Sequence, residues 1–327
     1  MRGPDVQYGG VTLLTSPEGG RYPSGNSLLI RGTEGTVLVD PSLEVDRRGG
    51  AGADIELIAV THAHEDHIAG LHLFPEVPVV VHPAEAGAVR DPETLLAGFG
   101  MADAEADVFR RQLRETFHVS GHGRVDTVDD GAVLDLGRRS VTVVHLPGHT
   151  AGHCGLLVEP DGFLFLGDID LTSFGPYYGD LSSSLDDFVT SIERLRNMDA
   201  RWYGTSHHVG VLDDRRTFLD ALDRFAAVID RRDETLLQLL RRPRTLEDVV
   251  AHRLVYRPHV HLPFAEGGRT ADRPPSPGTT RAPRPGRPHR RRLPRGVTDT
   301  APYRPTNAWR GAGRTSSAPA PHLPDTR

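Results

Sequence analysis

The alternation of apolar and polar positions divides most of the chain into short strands and longer helices. Apolar runs of three to six residues, bounded by Gly-rich turns or by Pro, predict β-strands. These runs are Ser27–Ile30, Thr36–Val39, Ile55–Val60, Val79–Val81, Val141–Leu146 and Phe163–Leu166. Apolar residues at helical spacing predict helices within 84–117, in Leu185–Asn197 and in Thr217–Asp230. Strands followed by helices occur twice, which predicts an α/β fold of two sheets covered by helices on both outer faces.

The end of the chain differs in composition from the rest. The formal net charge is −6, but residues 268–327 contain 13 Arg, 12 Pro and three acidic residues, a net charge of +10. The other residues therefore carry a net charge of −16. The tail has almost no aliphatic residues, so it cannot bury a core and is expected to be disordered. Its composition is typical of a basic arm, or of GC-rich DNA read in an altered frame.

The segment 231–267 forms a third unit in the sequence. Its pattern is helical, and Thr245 followed by Asp248 three residues later is typical of a capping box at the start of a helix. We therefore predict a folded body over 1–230, a short helical segment over 231–267 and a disordered tail over 268–327.

The same survey excludes several classes of protein. No run of 18 apolar residues occurs, which argues against a membrane span or a membrane partner. The residues after Met1 lack the apolar region of a secretory signal, so we expect a cytoplasmic protein. Cys154 is the single cysteine of the chain, which excludes an intramolecular disulfide framework and an all-thiolate metal site. Cys154 lies in an apolar run and is expected to fill the core rather than to act as a nucleophile.

The strongest chemical signal is the segment Thr61–His67, which directly follows an apolar run. It contains the potential metal ligands His62, His64, Asp66 and His67. Three further candidates, His149, Asp168 and His207, follow other short apolar segments, with Gly or Ser beside them. Imidazole and carboxylate donors without thiolate suit Zn²⁺ and also fit Fe or Mn. Asp170 and His208 are alternatives to Asp168 and His207, and His153 is close enough to His149 to support it.

The order and spacing of these residues resemble the metallo-β-lactamase superfamily of metallohydrolases, especially its glyoxalase II-like and β-lactamase-like protein 2-like branches. The resemblance covers about residues 8–262. It implies a four-layer αββα sandwich with a dinuclear metal site at one edge of the two sheets. It also implies that 1–230 is the catalytic domain and that 231–267 is the start of a helical, winged-helix-like module.

The resemblance also implies roles for individual residues. The first metal ion would be held by His62, His64 and His149, and the second by Asp66, His67 and His207. Asp168 would bridge the two ions, and Asp40 would support the site from behind its ligands. We therefore expect two Zn²⁺ per chain, with Fe or Mn as alternatives.

The implied reaction is hydrolysis of an ester, thioester, lactone or related bond of a small molecule by hydroxide bound to two metal ions. Asp66 is the candidate catalytic residue, because it can orient the nucleophile and move its proton. The loop after Asp168 is the candidate substrate loop, with Phe174, Tyr177 and Tyr178 as its aromatic residues. Two alternatives on the same fold are a mononuclear iron oxidoreductase similar to persulfide dioxygenases and a non-catalytic binding protein.

The expected partner is a small-molecule substrate. The charge of −16 on residues 1–267 repels phosphate backbones, so no nucleic-acid partner is expected for the folded body. A homodimer is compatible with the sequence. The sequence leaves open the identity of the substrate and the native metal.

Overall fold

A computed structural model describes residues 4–255 of the chain. The predicted tail over 268–327, and the last part of the 231–267 segment, lie outside the described residues. None of the described helices combines the length and the apolar character that crossing a membrane requires.

The amino-terminal half forms a seven-stranded mixed sheet in the order β1 to β7. Its strands are β1 Val6–Tyr8, β2 Val11–Leu14, β3 Ser27–Arg31, β4 Thr36–Val39, β5 Leu57–Ala59, β6 Val79–Val81 and β7 Val125–Thr127. The first four strands pair antiparallel, and β4 to β7 pair parallel. Parallel neighbours need crossover connections, which the helices between them supply.

The second half forms a six-stranded sheet in the order β13-β12-β11-β10-β9-β8. Its strands are β8 Val133–Asp135, β9 Ser140–His145, β10 Cys154–Glu159, β11 Phe163–Phe165, β12 Trp202–Gly204 and β13 Val211–Leu212. Only β11 and β12 pair parallel among these neighbours. The connection between these two strands contains both the candidate substrate loop and a helix.

The described residues form eight α-helices. They are α1 Leu43–Arg48, α2 Glu65–Ile68, α3 Ala86–Arg90, α4 Pro92–Gly98, α5 Asp103–Glu115, α6 Leu185–Arg196, α7 Arg215–Leu239 and α8 Leu246–His252. Helix α8 begins at the predicted capping box, where the Thr245 side chain accepts from the Asp248 backbone N–H and the Asp248 carboxylate accepts from the Thr245 N–H.

Within residues 4–255, three apolar clusters separate the four layers. The middle cluster packs one face of each sheet against the other, and Leu28 and Val39 of the first sheet share it with Phe163 and Phe165 of the second. The first sheet packs its other face against α1 to α5, and the second packs its other face against α6 and α7. The fold is therefore the expected αββα sandwich. Cys154 lies in the middle cluster with 2% of its surface exposed.

The predicted and observed elements differ most at the last long helix. Helix α7 begins two residues before Thr217 and continues to Leu239, so the predicted boundary between residues 230 and 231 falls inside it. The apolar stripe ends near Ile229, but Arg, Glu, Leu and Gln are good helix formers and extend the helix beyond the stripe. The strand predicted over Ile55–Val60 is shorter in the structure, where only Leu57–Ala59 pairs as β5.

Candidate metal centre

The candidate ligands lie in the loops that follow strands of both sheets. His62 and His64 follow β5, and the short helix α2 carries Asp66 and His67. The other three candidates follow strands of the second sheet: His149 follows β9, Asp168 follows β11 and His207 follows β12. These loops meet at one edge of the sandwich, where the structure brings together all seven ligands proposed from the sequence.

Local backbone geometry explains part of this arrangement. Gly148 has a φ of +129°, and a Cβ at this position would lie 2.3 Å from the backbone nitrogen of Phe188. A glycine is therefore required for the chain to turn closely under helix α6 just before His149. Asp40, which follows β4, also has a positive φ of +47°, a conformation that Asp and Asn tolerate better than most residues.

The first group of donors consists of His62, His64, His149 and one oxygen of Asp168. The Nε2 atom of His62 lies 3.0 Å from Nδ1 of His64, and Nε2 of His149 lies 3.2 Å and 3.1 Å from these two atoms. Tetrahedral coordination at an ordinary Zn–N distance places donor atoms about 3.3 Å apart. Three imidazole nitrogens thus lie close to the spacing that one tetrahedral ion requires.

The second group contains Asp66, His67 and His207. Nε2 of His207 lies 3.3 Å from Oδ2 of Asp66, and Nε2 of His67 lies 3.8 Å from Oδ1 of Asp66. The Asp168 carboxylate lies between the groups. Its Oδ1 is 3.0 Å from His67 Nε2 and 3.4 Å from His207 Nε2, and its Oδ2 is 3.4 Å from His149 Nε2. The two oxygens of Asp168 therefore face different donor groups.

The two sequence alternatives do not face the donors. Asp170 turns its carboxylate back to its own loop, where Oδ1 accepts hydrogen bonds from the backbone N–H and the hydroxyl of Thr172. His208 has a positive φ of +56° and belongs to neither donor group. The geometry thus favours Asp168 and His207.

The two donor groups contain five histidines. In each of them the outer ring nitrogen, the one that faces away from the other donors, lies beside a hydrogen-bond acceptor. The pairs are His62 Nδ1 with Thr61 Oγ1, His64 Nε2 with Asp180 Oδ2, His67 Nδ1 with Asp40 Oδ2, His149 Nδ1 with the Tyr177 carbonyl and His207 Nδ1 with the Gly20 carbonyl. A proton on each outer nitrogen leaves a lone pair on the inner nitrogen, the arrangement that metal-bound histidines adopt.

Two buried polar atoms indicate that the cluster is built for cations. Nε2 of His67 and Oδ1 of Asp168 are buried and face each other at 3.0 Å outside hydrogen-bonding geometry, and neither has a hydrogen-bond partner among the described residues. Burial and the nearby rings of His67 and His64 lower the pKa of His62 well below its ordinary value, which favours the neutral, metal-binding form. Burial opposes ionisation of Asp168, but His67 and His207 outweigh it and hold the pKa of this carboxyl well below its ordinary value. The His and Asp residues form a metal-binding cluster.

Asp40 makes hydrogen bonds to the first ligand loop and to one of the candidate ligands. Its side chain is fully buried, and its Oδ1 accepts a hydrogen bond of 2.7 Å from the Thr61 N–H. Its Oδ2 accepts from the Thr61 hydroxyl at 2.7 Å and from His67 Nδ1 at 2.9 Å. One carboxylate therefore holds the first ligand loop and orients a ligand of the second group.

Sequence reasoning missed two acidic residues that hold the ligands in place. Glu85 is buried, and its two oxygens accept from the backbone N–H groups of Ala63 and Gly152 at 3.0 Å and 2.8 Å. Asp180 accepts from His64 Nε2 at 2.6 Å. Neither residue belongs to a recognisable motif, because each acts on a loop that is remote from it in the sequence.

His153 does not join the donors. Its Nδ1 donates to the Leu146 carbonyl, and its Nε2 accepts from the backbone N–H of Asp168 at 3.0 Å. It therefore fixes the backbone that carries the bridging carboxylate.

A cleft of about 700 Å³ opens over the donor groups. Phe174 and Tyr177 of the loop after β11 line it, as do Phe99 and Val228. Tyr178, the third aromatic residue proposed for this loop, packs against helix α7 instead, with the Arg232 guanidinium 5.4 Å from its ring centre. The cleft therefore joins an apolar wall to the metal-binding cluster.

Comparisons with known proteins agree with this geometry. The acyl-coenzyme A thioesterase MBLAC2 of Bos taurus is 32% identical over 201 residues, which cover 53% of this chain and 69% of that protein. The probable polyketide biosynthesis zinc-dependent hydrolase BaeB of Bacillus velezensis is 27% identical over 171 residues, 51% of this chain and 63% of that protein. A crystal structure of a metallo-beta-lactamase family protein from Thermus thermophilus has a TM-score of 0.59 at 25% identity, covering 80% of this chain and 90% of that chain. The family description "Metallo-beta-lactamase superfamily" matches residues 21–227, more than half of the chain, and the protein belongs to this superfamily.

Proposed function

We propose that the protein is a dinuclear zinc hydrolase that cleaves the thioester bond of a small acyl thioester. The position of Asp168 carries the dinuclear part of this proposal, since its two oxygens face two separate groups of ligands. When bound, two Zn²⁺ ions would supply a hydroxide nucleophile near neutral pH and polarise the substrate carbonyl. The absence of Cys from both donor groups fits Zn²⁺ held by imidazole and carboxylate.

The residues of the chain supply the remaining requirements of the reaction. Asp66 lies in the second donor group and lines the cleft, where it can orient the nucleophile and accept its proton. Asp40 and Asp180 keep the inner nitrogens of His67 and His64 free to bind metal. A covalent protein nucleophile is not needed, and burial raises the pKa of the Cys154 thiol, which keeps it protonated.

The lining of the cleft supports an acyl thioester as the substrate class. Phe99, Phe174 and Val228 provide apolar surface for an acyl chain. Arg21 and Arg231 also line the cleft and provide positive charge for the phosphate groups of a carrier such as coenzyme A. A thioesterase and a zinc-dependent hydrolase among the relatives support the same reaction class. The cytoplasmic location and the homodimer stay predictions from the sequence.

The test is a panel of acyl-coenzyme A thioesters, lactones and phosphodiesters, offered to protein loaded with Zn²⁺, Mn²⁺ or Fe²⁺. We expect thiol release from the thioesters to be fastest, and to require two bound Zn²⁺ per chain. Replacing Asp168 by Asn should lower the metal content to one ion and slow thiol release by more than about 100-fold. Asp186→Asn is the matched control, because this exposed residue lies at the start of α6 and outside the cleft. Oxygen uptake with bound iron, without thiol release, would overturn the proposal.

A further inference from the structure

The loop between β11 and α6 contacts ligands of the first donor group at three points. The Tyr177 carbonyl lies 3.1 Å from His149 Nδ1, and the Ser183 hydroxyl donates to the His149 carbonyl at 2.6 Å. The Asp180 carboxylate accepts from His64 Nε2 at 2.6 Å. The ligands of the second group have other supports, because His67 contacts Asp40 and His207 contacts the Gly20 carbonyl.

Asp180 is itself held in a defined orientation. The residue is 4% exposed, and the Tyr177 hydroxyl donates to its Oδ1 at 3.1 Å while Oδ2 faces His64. Its backbone N–H donates to the Ser183 hydroxyl at 3.1 Å. A buried carboxylate with both oxygens occupied presents a fixed acceptor for the Nε2–H of His64, so the neutral ring carries its lone pair on Nδ1, towards the other donors of the first group.

The loop is fastened to helix α7 by Arg232. This side chain is 8% exposed, and its guanidinium donates to the carbonyls of Pro176 at 2.5 Å and Phe174 at 2.7 Å. Gly175 lies between these two carbonyls with a φ of +80°, and a Cβ there would lie 2.4 Å from Cβ of Val228. The loop backbone therefore packs directly against α7, and the buried Arg232 guanidinium donates hydrogen bonds to the loop carbonyl groups.

We propose that this loop, 174–183, fastened to α7 by Arg232, is the positioning element of the first metal subsite, with Asp180 as the residue that orients His64. Removing the contacts of Asp180 or Arg232 weakens metal binding at the first subsite and leaves metal binding at the second subsite unchanged. The inference rests on the two-subsite part of the proposed function and not on the identity of the substrate.

The test measures Zn²⁺ affinity by chelator competition in proteins that keep one subsite each. His207→Ala leaves the first subsite, and His149→Ala leaves the second. In the His207→Ala background, Asp180→Ala should weaken Zn²⁺ binding by about 10- to 100-fold, and Asp180→Asn, which keeps an acceptor, should weaken it less. In the His149→Ala background, neither change at Asp180 should alter the affinity.

Arg232→Met provides a second and independent perturbation, because it keeps the packing of the side chain and removes the donors to the loop. It should weaken Zn²⁺ binding at the first subsite alone. Arg224→Met, at an exposed position of the same helix, should leave the Zn²⁺ affinity of both subsites unchanged. Co²⁺ absorption spectra and unfolding of the metal-free variants separate ligand orientation from a general loss of stability.

The inference would be overturned if the Asp180 and Arg232 variants changed Zn²⁺ affinity equally in the His207→Ala and His149→Ala proteins, or changed it in neither. Failure of the thioester assay alone would leave these metal affinities as they are, so the two proposals fail separately.

Discussion

Replacing Asp40 by Asn is a sharp perturbation of the ligand support, because it changes one atom at a fully buried position. Asn tolerates the positive φ of +47° found here, so the backbone is not strained by the change. The three donors that meet the carboxylate are the N–H and hydroxyl of Thr61 and the Nδ1–H of His67. In either orientation the new NH₂ group faces at least one of these donors.

The magnitude follows from these contacts. A hydrogen bond to a charged group contributes about 1.5–3 kcal/mol, so the unfolding free energy of the metal-free protein should fall by about 2–3 kcal/mol. If the NH₂ group faces His67, its ring proton moves to Nε2 and the lone pair for the metal is lost. Loss of such a support lowers metal affinity by about 10- to 100-fold, or about 1.4–2.7 kcal/mol.

Urea unfolding of the metal-free protein and chelator competition with Zn²⁺ measure the two effects separately. Asp54→Asn is the control, because Asp54 is exposed and lies in the loop before β5. An Asp40→Asn protein that retains both the parent stability and the parent affinity for both ions would refute the idea that this carboxylate supports the Thr61 loop and His67.

Three further predictions concern residues around the centre. Glu85→Gln should lower the unfolding free energy by about 1–3 kcal/mol in urea titrations, because the new NH₂ group faces the N–H of Ala63 or Gly152. An unchanged urea midpoint would contradict the stabilising role of these two hydrogen bonds. Native protein should react with a thiol reagent only on unfolding, because burial raises the pKa of Cys154; fast native labelling would contradict this. Burial, with repulsion from His149, lowers the pKa of His153 to about 3, whereas an unfolded histidine titrates near 6.5. The unfolding free energy of the metal-free protein should therefore fall as pH falls from about 6.5 towards 3, and His153→Asn should weaken this pH dependence. An unchanged pH dependence of unfolding in the variant would contradict this prediction.

The sequence predicted features that depend on neighbouring residues. The strand Thr36–Val39 has the bounds expected from its apolar run, since a short run between turns leaves little choice of register. Thr245 caps α8 as predicted, because a capping box is complete within four residues. The ligand segment after β5 was also evident, since four donors fall close together in the chain.

Features that depend on remote contacts were not predictable in the same way. Asp180 and Glu85 lie outside any motif, and each acts on a ligand loop that only the fold brings near. The extent of α7 was underestimated because its last turns have few buried residues, and Arg232 is buried there by a loop rather than by the apolar core. Tyr178 was grouped with the substrate loop by composition, but it packs beside α7. Periodicity does not show which side of a loop faces a cleft.

In the proposed function, two metal ions held by seven residues hydrolyse a thioester. The most direct test of this proposal is titration of metal-free protein with Zn²⁺ while thiol release from an acyl-coenzyme A is followed. The account predicts that thiol release rises to a plateau at two equivalents of Zn²⁺ per chain, and that a chelator abolishes it reversibly. A plateau at one equivalent, or no thiol release when both ions are bound, would contradict the account.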